Sequence, residues 1–185
     1  MGAVERARGR VSFADLEPAP DDGRRYELYD GEVYVVPAPI PRHQVVQYSV
    51  AEALRALCRQ HGGFAVGSPI DIVFSEYDVL QPDVVFFRPV RAHLIDLDRA
   101  IRHAPDLCVE ILSPSTEQTD RGRKLQMFAR YGVPEYWIVD PVHETIEVHP
   151  LEAGGYRLAQ RASGEDEVRS AVLRGMPLRT DTMLR

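Results

Sequence analysis

Apolar and polar positions recur along this chain with periods that mark most of its elements. Tyr26-Glu27-Leu28-Tyr29 and Glu32-Val33-Tyr34-Val35-Val36 flank Asp30-Gly31. Asp-Gly suits the two positive φ values of a type I′ turn, so this stretch predicts a β-hairpin, ended by Pro37, Pro39 and Pro41. From His43 to Gln60, the residues Val46, Val50, Ala53, Leu54 and Leu57 recur at spacings of four, three, one and three. That is the stripe of an amphipathic helix, and Gly62-Gly63 stops it. Phe64-Ala65-Val66 and the alternating Ile70-Asp71-Ile72-Val73-Phe74 predict extended segments. Val79 to Phe87 predicts a further strand, with Pro82 marking a bulge or a sheet edge just before Asp83.

The polar stretch 88–106 predicts irregular chain with one helical turn near Leu97–Arg102. Leu107 to Leu112 is an apolar run of strand length with one carboxylate, Glu110, inside it. Ser113-Pro114-Ser115 turns the chain into a helix that runs to about Tyr131, where Gly132 and Pro134 supply the usual stop. Tyr136–Asp140 and Thr145–His149 predict two more strands, and Gly154-Gly155 a hairpin beyond them. Strands outnumber helices and at least one helix joins two strands, so the class is mixed α/β with a central sheet. Residues 1–23 predict a flexible N-terminal segment carrying Arg6, Arg8 and Arg10, with a short helix from Ser12; residues 24–150 form the core domain, and 151–185 a β extension of it.

Composition narrows the functional classes. At 185 residues the chain suits one domain with an ordinary core, and 44% apolar with 27% charged residues is the balance of a globular protein. No apolar run is long enough to span a bilayer, and the N-terminus lacks a secretory core, so a cytoplasmic protein without membrane contact is expected. Cys58 and Cys108 each sit among apolar residues, which predicts small buried hydrophobes and no structural zinc. A net charge of −6 argues against indiscriminate coating of nucleic acid but leaves a nuclease open.

The chemistry lies between Gln81 and Tyr136. An ionised carboxylate in a buried strand is strongly disfavoured unless a cation or a wet cleft receives it, and Glu110 is such a group. Asp83 stands 27 residues earlier at the start of another strand. If those strands are neighbours, the two acids converge on one hard cation such as Mg²⁺. Around the following helix, Lys124 falls beside Met127, Phe128 and Tyr131, with Asp120 one turn earlier on the same side and Arg123 and Arg130 outward. The plainer alternative is a lysine snorkelling from a helix edge, paired with Asp120.

These residues resemble the Uma2 family, within the PD-(D/E)XK nuclease superfamily. The resemblance runs through Pro82-Asp83, Glu110-Ile111-Leu112-Ser113-Pro114-Ser115, Asp120, Lys124 and Tyr131-Gly132-Val133-Pro134-Glu135-Tyr136-Trp137-Ile138-Val139-Asp140, and covers roughly residues 24–150. It implies a restriction-endonuclease-like mixed sheet flanked by helices, with the N-terminal hairpin added. It also implies a Mg²⁺-dependent endonuclease acting on DNA, Mn²⁺ being a possible substitute, and a homodimer is expected because symmetric cutting suits two-fold assemblies. Asp83, Glu110 and the carbonyl of Ile111 would hold the metal, and Lys124 would orient water or stabilise charge on the phosphate. The superfamily lysine two residues after the strand glutamate is here Leu112; the resemblance moves that role to Lys124.

Glu27 is a further catalytic or metal candidate from the hairpin, beside the alternative of an exposed strand carboxylate. His43 reads as a helix-start residue and Gln81 as a lining of the cleft. Tyr136 and Trp137 read as core, and Arg121, Arg123 and Arg130 as a solvated face able to meet phosphate. Two competing readings stand: a nuclease-fold module that binds nucleic acid without cutting it, and a metal-dependent hydrolase of another phosphoester.

Overall fold

The computed structural model describes residues 9–16 and 23–184. Two sheets make up its frame. The smaller contains β1 (Arg25–Tyr29), β2 (Glu32–Val36), β4 (Ile72–Ser75) and β5 (Asp78–Leu80), in the order β2-β1-β5-β4. The larger contains β3 (Phe64–Gly67), β6 (Val84–Phe87), β7 (Leu107–Ile111), β8 (Glu135–Asp140), β9 (Thr145–Glu152) and β10 (Gly155–Tyr156), in the order β10-β9-β8-β7-β6-β3, with β11 (Gln160–Ser163) also paired to β9. β7 and β8 are parallel, while β6 and β7 run antiparallel in the register Val84 to Val109. This is the mixed α/β architecture expected, with the hairpin joining β5 and β4 in the smaller sheet and not the larger one.

The hairpin turn is the one its residues prescribe: Asp30 and Gly31 have φ of 51° and 81°. The long helix α2 (Pro41–His61) starts on Pro41, whose missing N–H costs nothing in a first turn, and ends at Gly62 with φ 81°. Its buried stripe, Val46, Val50, Leu54 and Leu57, packs on Val84, Phe86, Leu107, Val109 and Ile111. The opposite face of the large sheet presents Val85, Phe87, Cys108, Tyr136 and Ile138 to Met127 and Phe128 of α4 (Leu125–Arg130). Each fully buried side chain of this size contributes about 1.5–3 kcal/mol.

Several expectations need correcting. Val79–Phe87 is not one strand: β5 and β6 lie in different sheets, separated by Gln81-Pro82-Asp83. Pro82 offers no N–H to a ladder, and there the chain leaves one sheet for the other. The helical turn expected near Leu97–Arg102 is a single turn closed by the Arg99 N–H on the Asp96 carbonyl, and the 3₁₀ helix of this stretch lies earlier, at Pro89–Leu94, where Pro89 presets φ. Of the segment expected to be flexible, residues 9–16 are docked. Val11 and Phe13 donate backbone bonds to the carbonyls of Gly31 and Glu76 at 2.9 and 2.8 Å, and Phe13 in α1 (Phe13–Leu16) is buried against Leu28, Val73 and Val79. Arg6, Arg8 and the proline-rich stretch 17–22 lie outside the described residues. The C-terminal stretch adds β10 and β11 and then runs largely without regular structure to α5 (Thr180–Met183), burying Val168, Val172, Leu173, Leu178 and Met183 in the α2-side core. Among the described residues no helix is long and apolar enough to cross a membrane.

Candidate active site

Beside the joint between the two sheets lies a cavity of about 20 Å³, lined among others by Arg25, His43, Asp83, Glu110, Asp120 and Lys124. A strap from Val36 to Pro39 and the turn at Ser113–Thr116 also line it.

Each side chain arrives for a local reason. Alternation along β7 puts Cys108, Glu110 and Leu112 on one face and Val109 and Ile111 on the other. Asp83 immediately precedes the Val84–Val109 pair, so its carboxylate reaches the end of β7, and its Oδ2 accepts the N–H of Ile111 at 2.8 Å. The carbonyl of Ile111 faces the same edge of the strand as its N–H, because successive residues of a strand alternate edges. Glu27 comes from the middle of β1 and accepts the Tyr29 hydroxyl at 2.8 Å and the backbone N–H of Gln81 at 2.9 Å.

The helix after β7 is continuous from Glu117 to Arg130, but only α3 (Glu117–Thr119) and α4 are α-helical; Asp120–Lys124 form a π turn between them. Such turns are wider than an α turn and recur at functional sites. This one turns both Asp120 and Lys124 inward while Met127 and Phe128 still face the core. It is held from two sides. The Tyr136 hydroxyl donates to the carbonyl of Asp120 at 3.0 Å, and Arg121 donates to Glu147 on β9 at 2.8 Å.

Lys124 is the centre of the cluster. Its Nζ donates to Glu110 Oε2 at 2.9 Å and stands 3.3 Å from Glu27 Oε1 and 3.9 Å from Asp120 Oδ1. Only 5% of the residue is exposed, so it does not snorkel. Burial alone would lower its ammonium pKa, but Glu110, Glu27 and Asp120 outweigh that and hold it well above the ordinary value. Burial pushes Glu110 the other way, well up, against the pull of Lys124 and with Asp83 and Asp120 adding to the rise. Burial likewise raises Asp120 to about 6, with Lys124 opposing.

The donor set fits a hard divalent cation. Glu110 Oε1 is buried without a hydrogen-bond partner and the Asp120 oxygens have only the loose approaches of Thr116 and Lys124, a costly condition that an added positive charge would relieve. Among the described residues no three His, Cys, Asp or Glu side chains stand together as a ready-made metal cluster. Mg²⁺ does not require one, since it binds through one or two carboxylates and keeps several waters.

Of the residues singled out in the sequence, Asp83, Glu110, Lys124 and Glu27 are all buried at this place. Leu112 is buried in the α4-side core, so the space a lysine there would have used is apolar. Glu27 is 3% exposed, which rules out the surface-carboxylate alternative. His43 is more than a helix-start residue: the first turn it occupies faces the site, and its Nε2 lies 3.0 Å from Asp83 Oδ2. Gln47 was missed; it donates to the carbonyl of Asp83 at 3.0 Å. Both lie one turn apart on the α2 face that carries the apolar stripe, and that spacing was the available signal. Gln81 reaches Asp71 at 2.8 Å. Tyr136 and Trp137 are core. Arg121 is engaged with glutamates, Arg130 with Asp30 at 3.0 Å, and Arg123 stacks over Tyr34 at 4.0 Å.

Residues 12–181 match the family model described as "Uma2: Putative restriction endonuclease". The fold is shared with a crystal structure from Anabaena variabilis ATCC 29413, described as a "putative nuclease belonging to DUF820". The TM-score is 0.72 and the identity 20%, over 94% of this chain and 97% of that one. No curated protein matches the chain.

Proposed function

The chain belongs to the Uma2 family, and from that premise we propose that it is a metal-dependent endonuclease hydrolysing phosphodiester bonds of DNA. The observation that carries the proposal is the buried Lys124 ammonium 2.9 Å from Glu110, whose other oxygen has no partner. A merely structural pair would have both oxygens satisfied.

Asp83, Glu110 and the Ile111 carbonyl would hold Mg²⁺, with Mn²⁺ a workable substitute. A cation there supplies Lewis acidity toward the phosphate and acidifies a bound water. The chain's own residues do the rest. Lys124 offers positive charge to the phosphate oxygens as charge accumulates on them in the transition state. Its neighbours Glu110 and Glu27 keep the ammonium charged and aimed. His43 and the Ile111 N–H fix the rotamer of Asp83 by occupying Oδ2. In the net reaction the water oxygen forms a new bond to phosphorus and one bridging P–O bond breaks, leaving a phosphomonoester and a hydroxyl.

Cutting both strands suits a homodimer, because two-fold symmetry matches that of the duplex. Two free cysteines, one buried, fit a reducing cytoplasmic setting. The test is cleavage of plasmid DNA with Mg²⁺ or Mn²⁺ by the wild-type protein, Glu110→Ala and Lys124→Ala. Nicking by the wild type alone is expected; equal activity in all three would sink the proposal.

A further inference from the structure

The site has more negative than positive charge, which poses a problem for a phosphate approaching it. Glu27, Asp83, Glu110 and Asp120 stand against a polyanion, and Lys124 is shared among three of them before any phosphate arrives. The cavity has a second difficulty. At about 20 Å³ it has room for about one water and none for a phosphodiester. Seating a phosphodiester therefore requires a wall of the cavity to give way, and the Val36–Pro39 strap is one such wall.

Arg25 stands where both problems meet. It lies two residues before Glu27 on β1, so alternation places both side chains on one face, and Arg25 lines the cavity rim. Its guanidinium contacts are neutral: one nitrogen donates to Ser68 Oγ at 3.3 Å and the other to the carbonyl of Pro37, in the strap, at 3.2 Å. The cluster's other cation, Lys124, is bound to carboxylates. Ser68 in turn donates its N–H to the carbonyl of Asp83 at 2.9 Å and shares Gln47 with it, so Arg25 is registered against the proposed metal ligand.

We propose that Arg25 is the anchor for the substrate phosphate and the latch of the strap. On binding, its guanidinium exchanges the Pro37 carbonyl for phosphate oxygens, which releases the strap as the DNA seats. The exchange is favourable because a charge–dipole bond to a carbonyl gives way to an ion pair with an anionic oxygen, and the planar fork matches phosphate in two parallel bonds. The proposal rests on the nuclease reading but is tested separately from it.

The experiment is fluorescence-anisotropy binding of a short labelled duplex in EDTA across a salt series, for wild type, Arg25→Gln and Arg25→Lys. Plasmid cleavage in Mg²⁺ is run alongside, with thermal midpoints confirming folding. Arg25→Gln is expected to bind about ten-fold more weakly and to lose about one unit of salt slope, while Arg25→Lys keeps the slope. Affinity and slope unchanged in Arg25→Gln overturn the anchor, whatever the cleavage assay gives. A wild type that binds with the Arg25 dependence but cuts nothing sinks the nuclease reading and leaves the anchor standing. A wild type that does not bind the duplex overturns both.

Discussion

Glu110 and Glu147 occupy one row of the large sheet. Both pair across Ile138, Glu110 from β7 and Glu147 from β9, so they share a face roughly 10 Å apart. Both are buried, and the same π turn reaches both, with Lys124 to one and Arg121 to the other. Their outcomes are opposite. Glu147 receives Arg121 and Arg161 at 2.8 Å and His149 at 3.2 Å, and although burial works against it, these partners depress its carboxyl to about 2. Glu110 receives one lysine, keeps an oxygen without a partner, and is pushed up. Burial is common to the pair, so what separates the two carboxylates is how completely each is satisfied.

The comparison can be broken most forcefully at Lys124. Lys124→Ala should leave several buried carboxylates facing one another, costing about 3–5 kcal/mol of stability as well as activity. Lys124→Ala in a Glu110→Gln background should recover much of that stability but no cleavage. Urea unfolding read beside plasmid nicking separates the two effects, and recovery of cleavage would contradict the role given to Lys124.

Exchanging the glutamates comes next. Glu110→Gln is expected to lose at least about 10²-fold in cleavage rate, as removal of a group that acts on the transition state does, with stability unchanged or improved. Glu147→Gln should do the reverse: a loss of about 1–2 kcal/mol, modest because its arginines are partly in solvent, with cleavage kept within a few-fold. Matching profiles for the two variants would erase the distinction.

Acid dependence sharpens it without touching catalysis. Glu147 is depressed from 4.5 to about 2, so its stabilisation is complete above its unfolded value and is lost as pH falls toward 2. Asp120 is raised from 3.8 to about 6, so the unfolded chain ionises first and stability falls as pH rises through that window, by on the order of 3 kcal/mol. Denaturation midpoints in EDTA from pH 3 to 7 should therefore lose their acid limb in Glu147→Gln and their decline toward pH 6 in Asp120→Asn. The smallest effect is expected of Tyr136→Phe, which removes one bond to the π turn: about 1 kcal/mol and a few-fold in rate.

What the sequence disclosed follows the range of the forces involved. The Asp30-Gly31 turn, the α2 stripe and the β7 strand are set by neighbours in the chain, and period and turn chemistry reveal them. The inward aim of Lys124 was legible for the same reason, from its angle relative to Met127 and Phe128. The division of Val79–Phe87 between two sheets depends on which partners each half finds, and no local pattern encodes that beyond Pro82. The contact of His43 with Asp83 was hidden for a related cause: it spans 40 residues and depends on how α2 crosses β6.

That division at Pro82 has a consequence for the life of the chain. Glu27 belongs to one sheet and Glu110 to the other, Asp83 sits on the link between them, and Lys124 is delivered by the crossover between β7 and β8. Neither sheet alone carries the full set. A nascent or partly unfolded molecule, with either sheet still unformed, therefore lacks the assembled cluster, and the proposed activity requires both sheets to be in place.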